Sequence, residues 1–428
     1  MLLLKDLKDS DYMKKFFAIF LCVIIGLSAF STAAFAGNDA EGSEYPFVFV
    51  HGLMGWGEYQ GIDKFMPYWG TTSGNIPRYL EKQGYDVYTA CVGGASSAWD
   101  RACELYAQLA GTTVDYGEAH SKEHGHSRFG RTYDEPLCPY FGQTDENGEI
   151  IKINLVGHSM GGVTTRLFAS ILEYGDAAER AAGGDVSEFF KGGKGEYIHS
   201  ITTLSAPHNG SLAADKDTYP VINIMVNAFS YIWGVLDNTP LRPIWDIQME
   251  HYGLTDYPAD GFEGSFDTEL IEQMVNSKDS AYYDLTVKGA AEANERIKML
   301  DDVYYFSYSS ECVFEGPVTG NLYPEPTMNP LFLLTSPNIC SYDRDELFGI
   351  AIDESWRVND GIVSTNSAHH PDGEKWKDYD PDNIEKGIWN VMPVIESMDH
   401  TDYMGVFSNP VELRKFYKEV CALPCTLS

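Results

Sequence analysis

The run G-H-S-M-G at positions 157–161 constrains the fold of this chain more than any other feature. It follows a short apolar stretch at 153–156 and precedes a segment at 163–172 whose pattern predicts a helix. This strand–turn–helix context is typical of a nucleophile elbow, where a serine lies at the apex of a tight, strained turn. The flanking glycines let strand and helix pass closely. The pattern therefore predicts that Ser159 is a nucleophile, with an ordinary glycine-rich turn as the alternative.

The rest of the chain alternates between predicted strands and helices, which indicates an α/β protein with a mostly parallel, doubly wound sheet. With 428 residues, 44% of them hydrophobic, the chain can form one large domain with insertions, or two domains. Two insertions interrupt the alternation, at 96–133 and at 211–254. The second has apolar residues at helical spacing, which a lid and a core helix would both show. Its place after the loop at 205–210, near the carboxyl edge of the sheet, favours a lid. The predicted strands are 47–50, 87–91, 153–156, 198–204 and 303–308, and a helix is predicted at 76–83.

The first 36 residues have the features of a secretory signal peptide. Lys14 and Lys15 precede an apolar stretch at 16–29, and Ala34-Phe35-Ala36 is typical of a cleavage site. We expect cleavage after Ala36 and secretion of residues 37–428 as one domain with no stable membrane anchor; an anchor is the alternative. The net charge of −33 argues against nucleic acid or an anionic membrane surface as a partner, because both would repel the protein.

A nucleophilic serine requires a general base, and the base requires an acid that orients it. In α/β-hydrolases the chain order is serine, acid, histidine. His400 lies just before the last predicted helix and is the favoured base. Asp360, in the tight turn N-D-G, is the favoured acid. The residues that compete with them are Asp353 and Asp399 for the acid, and His369 and His370 for the base.

Such a site also needs two backbone N–H groups that face the negative charge developing on the substrate. The residue after the nucleophile, Met160, supplies one of them. The loop after the first strand supplies the other, and within that loop Leu53 is the predicted donor. Because backbone atoms donate, the side chains at both positions can be apolar.

The first insertion contains a group of residues that could bind a metal. Asp100, His120, His124 and His126 all lie between positions 96 and 133. Imidazole nitrogens and carboxylate oxygens are zinc ligands, and structural zinc takes four of them. The spacing H-x3-H-x-H is a weak signal, so on spacing alone a polar loop carrying exposed histidines is favoured, and a zinc site is the alternative.

Three runs in this insertion resemble the zinc-containing secreted lipases of Gram-positive bacteria, the Bacillus-type thermophilic and staphylococcal triacylglycerol lipases. They are W-D-R-A-C-E at 99–104, V-D-Y-G at 114–117 and H-G-H-S-R-F-G-R-T-Y at 124–133. The similarity extends from about residue 46 to residue 417. It implies an α/β-hydrolase fold with a zinc-binding insertion and a helical lid.

The resemblance also assigns residues. It implies the nucleophile Ser159, the acid Asp360 and the base His400, with His124 outside the metal site. Family members bind calcium near the histidine loop, which here implies Asp402 and Thr327. The chain departs from the family there, because Phe407 and Ser408 replace an aspartate and its neighbouring proline and Thr327 replaces a glycine. The implied zinc ligands are Asp100, His120, His126 and Asp279, the last matched through K-D-S-A-Y-Y-D-L at 278–285.

The function expected from these features is that of a secreted triacylglycerol lipase. It would hydrolyse long-chain acylglycerols at an oil–water interface through an acyl-enzyme. Zinc would be structural, and calcium is a further candidate. A carboxylesterase or a phospholipase of the same mechanism is the first alternative. A lipid-binding surface protein without catalytic activity is the alternative from another class.

Overall fold

The computed structural model describes residues 44–214, 248 and 277–428. The predicted signal peptide at 1–36 lies outside the described residues. So does most of the predicted lid at 211–254, of which only 211–214 and 248 are described. Within the described part of the chain, no helix has both the length and the apolar composition needed to cross a bilayer.

Short strands occur along the whole described part of the chain. In chain order they are β1 (Phe47–Val50), β2 (Val87–Ala90), β3 (Thr113–Asp115), β4 (Phe129–Thr132), β5 (Ile153–His158), β6 (Ile198–Leu204), β7 (Tyr304–Tyr308), β8 (Ser310–Glu311), β9 (Val313–Glu315), β10 (Leu322–Pro324), β11 (Glu346–Leu347), β12 (Ile350–Ala351), β13 (Trp376–Asp378), β14 (Trp389–Val391) and β15 (Ile395–Glu396). Seven of them form one sheet in the order β13-β14-β7-β6-β5-β1-β2. All neighbouring strands in that sheet run parallel.

Helices connect the strands of this sheet. In chain order they are α1 (Ile76–Glu81), α2 (Ala98–Ala110), α3 (Glu118–His124), α4 (Met160–Tyr174), α5 (Ala177–Ala182), α6 (Glu188–Lys191), α7 (Ala281–Asp284), α8 (Val287–Arg296), α9 (Ser336–Cys340), α10 (Thr365–His369) and α11 (Pro410–Cys425). Short 3₁₀ turns occur at Gly61–Lys64, Gly195–Tyr197, Leu212–Ala214, Pro330–Leu334, Glu354–Arg357 and Asp402–Met404. The predicted α/β class with a mostly parallel sheet is confirmed.

The sheet is covered on both faces, as the side chains of β1 show. Phe47 and Phe49 belong to one apolar cluster together with Tyr417 of α11. Val48 and Val50 belong to a second cluster together with helix α4. Successive strand residues point to opposite faces, so a strand that is apolar at every position must be buried on both sides. Helices therefore pack on each face.

The structure refines several predicted boundaries. The helix predicted at 163–172 begins at Met160, and β5 continues through His158, so a single residue separates strand from helix. Of the seven strands in the large sheet, β13 and β14 were not predicted, and neither were the eight short strands outside it. The insertion at 96–133 contains α2, which packs against α4, and then α3 between the antiparallel strands β3 and β4.

Candidate active site

Ser159 lies at the turn between β5 and α4 in a backbone conformation that side chains rarely adopt. Its φ is 55° and its ψ is −129°. The turn is held because the Ser159 N–H donates to the Leu204 carbonyl at 2.9 Å. A side chain at position 161 would overlap the Val50 carbonyl, which explains the glycine there. The strained turn places the Ser159 side chain, 8% exposed, beyond the end of the sheet.

Asp360 and His400 form a hydrogen-bonded pair. The carboxylate can only accept, so His400 Nδ1 donates to Asp360 Oδ2 over 2.7 Å. The backbone reinforces the pair, because the His400 N–H donates to the Asp360 carbonyl at 2.9 Å. Asp360 is fully buried, and its Oδ1 accepts the Val363 N–H at 2.8 Å. The hydroxyl of Ser205 donates to the same Oδ2 that His400 uses.

His158, the residue before Ser159, connects the elbow to the His400 loop. Its Nε2–H donates to the His400 carbonyl at 3.1 Å, and its Nδ1 accepts from the Tyr68 hydroxyl at 2.6 Å. Burial lowers the pKa of His158 well below its usual value, so the ring stays neutral and keeps this tautomer. The bond brings the backbone of His400 beside the elbow. In the described structure Ser159 Oγ makes no hydrogen bond to the His400 ring, a bond that often tightens only when substrate is present.

The competing acids and bases lie in other surroundings. Asp353 is exposed and caps a 3₁₀ turn by accepting the Ser355 N–H at 2.9 Å. Asp399 accepts the Asn329 N–H and groups of Thr401. The ring of His370 stacks on Trp376. Of the predicted acids, only Asp360 is hydrogen-bonded to the ring of His400.

The loop after β1 lies directly against the elbow. A Cβ on Gly52 would come within 2.8 Å of Ser159 Cβ, so only glycine permits this approach. The Gly52 N–H donates to Tyr68 at 2.9 Å and the Met54 N–H donates to Gly94 at 2.7 Å. The Leu53 N–H between them has no acceptor in the described part of the chain. Met160 is the first residue of α4, where an N–H has no partner within the helix.

A second group of polar residues lies at the start of α2. Ligand atoms of Asp100, His120, His126 and Asp279 all lie within 4.8 Å of one another. His120 Nε2 is 3.3 Å from Asp100 Oδ1 and 3.4 Å from Asp279 Oδ1. His126 Nε2 is 3.3 Å from Asp279 Oδ2. Both aspartates are buried, so the cluster is compatible with a bound metal ion.

Capping interactions fix the elements that carry this cluster. The Ser97 hydroxyl accepts the Asp100 N–H at the start of α2. The buried carboxylate of Glu179 accepts the His120 N–H at 2.7 Å at the start of α3. Burial lowers the pKa of His120, but the carboxylates of Asp100 and Asp279 outweigh it and raise this pKa to about 9. His124 does not belong to the group of four, although its ring centroid is 4.5 Å from that of His120.

The residues implied for calcium do not form a comparable set. Both carboxylate oxygens of Asp402 accept hydrogen bonds at 2.8 Å, from the Ser408 hydroxyl and from the Asp399 N–H. The Thr327 hydroxyl donates to Glu325. Calcium requires six to eight oxygen ligands. Each Asp402 oxygen keeps a further lone pair beside its hydrogen bond, so the calcium site at Asp402 and Thr327 stays a prediction.

The parallel sheet, with the elbow at the end of β5, defines the α/β-hydrolase class of fold. Comparison with known proteins then gives the family. Residues 43–422 match a family model described as lipase-like, C-terminal domain. The chain is 35% identical to Lipase 2 of Staphylococcus aureus over 373 residues, which covers 85% of this chain and 51% of that protein. The chain belongs to this lipase-like family, and it spans about half the length of the curated relatives it matches.

Solved structures support the same assignment. The lipase of Staphylococcus hyicus superposes with a TM-score of 0.75 at 32% identity, covering 92% of this chain and 98% of that one. EstA from Clostridium botulinum superposes with a TM-score of 0.76 at 33% identity, covering 95% of this chain and 97% of that one. Lipase 1 from Pelosinus fermentans superposes with a TM-score of 0.76 at 35% identity, covering 90% of this chain and 100% of that one. The resemblance to staphylococcal lipases is confirmed.

Proposed function

We propose that this protein is a secreted triacylglycerol lipase that works through Ser159, His400 and Asp360. The observation that carries the proposal is the His400–Asp360 pair, which is joined through His158 to the strained turn at Ser159. The relatives named lipases add support from sequence. The proposal extends to the whole protein, including its secretion, which the features of residues 1–36 favour.

The proposed reaction passes through an acyl-enzyme. His400 uses Nδ1 for Asp360, which leaves Nε2 to take the proton of the Ser159 hydroxyl as Oγ attacks the ester carbonyl carbon. The C–O bond to the alcohol then breaks, and His400 gives the proton to the departing alkoxide. Water, deprotonated by His400, attacks the acyl-enzyme, and the released Ser159 oxygen recovers the proton. Asp360 orients the His400 ring and stabilises the imidazolium that forms in both acylation and deacylation.

The negative charge on the carbonyl oxygen would be stabilised by the backbone N–H groups of Leu53 and Met160. The Leu53 N–H has no acceptor in the described part of the chain, and its loop touches the nucleophile. The Met160 N–H adds the positive end of the α4 dipole. Donors held in place before the reaction reduce the barrier most, because they need no reorganisation.

We further propose that zinc occupies the group of four at the start of α2. A tetrahedron whose centre lies about 2.0–2.1 Å from each ligand has edges of about 3.3–3.4 Å. Three nitrogen–oxygen separations, 3.3, 3.3 and 3.4 Å, are close to these edges, although the two to Asp279 involve different carboxylate oxygens. Charge-assisted hydrogen bonds are shorter, at about 2.7–2.9 Å. Four protein ligands leave no open position for water, so the ion would be structural, tying the segment at 100–126 to the chain at Asp279.

We expect the purified protein to contain one zinc ion per chain and to lose thermal stability when zinc is removed. An ion that binds only the folded state at about a thousand times its Kd contributes about 4 kcal/mol. Chelation should therefore lower the melting temperature by more than about 5 °C. His120→Ala should cause the same loss, whereas the matched control His124→Ala should keep zinc and melt like the wild type. Unchanged melting after metal analysis shows complete removal would contradict a structural zinc.

The substrate class is tested by comparing emulsified triolein, soluble p-nitrophenyl butyrate and phosphatidylglycerol vesicles. We expect triolein hydrolysis, measured as released fatty acid, and little action on the anionic vesicles because the chain carries a net charge of −33. Activity on the soluble ester alone would show a carboxylesterase. Preferential cleavage of the phospholipid would show a phospholipase. No turnover of any ester would favour a lipid-binding protein without catalytic activity.

A further inference from the structure

Arg101 is a fully buried arginine whose hydrogen bonds converge on the loop beside Ser159. Its guanidinium donates to the His51 carbonyl, to the Gly93 carbonyl at 2.9 Å and, more weakly, to the Gly52 carbonyl at 3.4 Å. Its Nε donates to the Thr164 hydroxyl at 2.9 Å, on the helix that begins at the elbow. One side chain thus joins the loop after β1, the loop after β2 and helix α4.

Burying this charge is costly, since a guanidinium loses its hydration and receives mostly neutral carbonyl groups in exchange. Burial lowers the pKa of Arg101 to about 10, with Glu104 opposing the shift, so the group stays charged at neutral pH. An apolar residue could pack between the same elements without that cost. The hydrogen bonds to the loop therefore call for an explanation beyond packing.

The geometry of the Gly52–Leu53 peptide explains why a charged side chain is buried here. The Gly52 carbonyl accepts from Arg101 and, at 2.8 Å, from Nδ1 of His51. A trans peptide is planar, and its C=O and N–H point in opposite directions. Holding the carbonyl on the Arg101 side therefore turns the Leu53 N–H to the other side, away from the guanidinium.

The ring of His51 is itself held in one tautomer. Its Nε2 accepts the Val92 N–H at 3.2 Å, so the proton on Nδ1 is the one directed at Gly52. Burial lowers the pKa of His51 to about 3, with the nearby Arg101 charge adding to the shift, so the ring stays neutral. The side chains of Arg101 and His51 thus both hold this carbonyl oxygen, and the Gly55 N–H donates to it as well at 3.2 Å.

We propose that Arg101, together with His51, is a positioning residue that locks the Gly52–Leu53 peptide with its N–H facing the charge that develops on the substrate. This inference rests on the proposed hydrolase function of Ser159. Neither side chain touches the substrate. Each acts through the orientation of the backbone N–H of Leu53, and so affects the transition state more than the bound substrate.

The test is Arg101→Lys, which keeps the positive charge but cannot reach all the acceptors. We expect kcat for p-nitrophenyl butyrate to fall about 10- to 100-fold, while KM changes less than threefold. The fall in kcat should be smaller than the ~10²–10³ that follows complete removal of one oxyanion-hole donor, because the Leu53 N–H is still present. Affinity for an alkyl boronic acid, whose adduct with serine is tetrahedral and negatively charged, should fall in parallel with kcat. A role in packing alone would not link these two quantities.

The chain offers a matched control in Arg166, another fully buried arginine. It contacts Asn294, Glu374 and His208, away from the loop after β1. Arg166→Lys should retain kcat and boronic acid affinity within about threefold. If folded Arg101→Lys matches this control in both quantities, the inference is wrong.

If Arg101→Lys does not fold, a second pair of variants tests the positioning role of Arg101. Thr164→Val removes the hydroxyl that accepts from Arg101 Nε, and Thr164→Ser keeps it. We expect lower kcat and weaker boronic acid binding in the valine variant only; equal values in both variants would overturn the inference. Failure of the hydrolase proposal is separately visible, because the wild type would then neither hydrolyse the ester nor bind the boronic acid.

Discussion

Replacing Ser159 with alanine should reduce ester hydrolysis by about 10⁵- to 10⁶-fold. In a serine hydrolase whose triad acts as a unit, loss of the nucleophile removes the covalent route altogether, and the small residual rate comes from binding and backbone donors. The fold should persist, because Ser159 holds the turn through its backbone N–H and carbonyl rather than through its hydroxyl. The measurement is the initial rate on p-nitrophenyl butyrate together with the melting temperature.

The matched control for this variant is Ser170→Ala on the same helix, α4. Ser170 is also buried, and its hydroxyl accepts the Lys298 N–H at 3.0 Å, far along the helix from the elbow. This control should lose some stability but keep its turnover. Comparable activity in the two alanine variants would mean that Ser159 is not the nucleophile.

The second large effect is expected from Asp360→Asn, with a fall in kcat of about 10⁴-fold. The asparagine oxygen can still accept the Val363 N–H that Oδ1 accepts now, so the tight turn should survive. Its amide would then face His400 as a donor, which forces the imidazole into the wrong tautomer for accepting the serine proton. The His400 ring therefore keeps its orientation but can no longer accept the proton of Ser159.

Asp353→Asn is the control that separates this effect from a general loss of carboxylate charge. Asp353 caps a 3₁₀ turn on the surface, and asparagine caps equally well. Its kcat and pH profile should match the wild type. If Asp360→Asn remains active, Asp360 is not the acid, and Asp399 becomes the candidate for that role.

The sequence was most informative where the chain order of chemical groups is constrained. The glycines around Ser159 predicted the elbow, because a strand and a helix can approach each other this closely only where side chains are absent. The tight turn at Asp360 and the loop at His400 followed from the order of groups in serine hydrolases. The strands β13 and β14 were missed because each has three residues and no apolar run; they are held by pairing with β7 and with each other.

The residues around the proposed catalytic groups could not be predicted in the same way. Arg101 lies in a helix at 98–110 and, from sequence alone, resembles any charged residue of an amphipathic helix. Its partners lie 50 and 63 positions away, at His51 and Thr164. The Ser205 hydroxyl reaches Asp360 across 155 positions. Such contacts depend on how strands are ordered in the sheet, which residue patterns do not reveal.

The most direct test of the account is reaction of the wild-type protein with an alkyl phosphonate ester, followed by peptide mass spectrometry. The account predicts one added phosphonyl group per chain, on the peptide that contains Ser159, and much slower labelling of His400→Gln because the hydroxyl loses its base. A folded protein that remains unlabelled, or that is labelled at another residue while Ser159 stays intact, would contradict it.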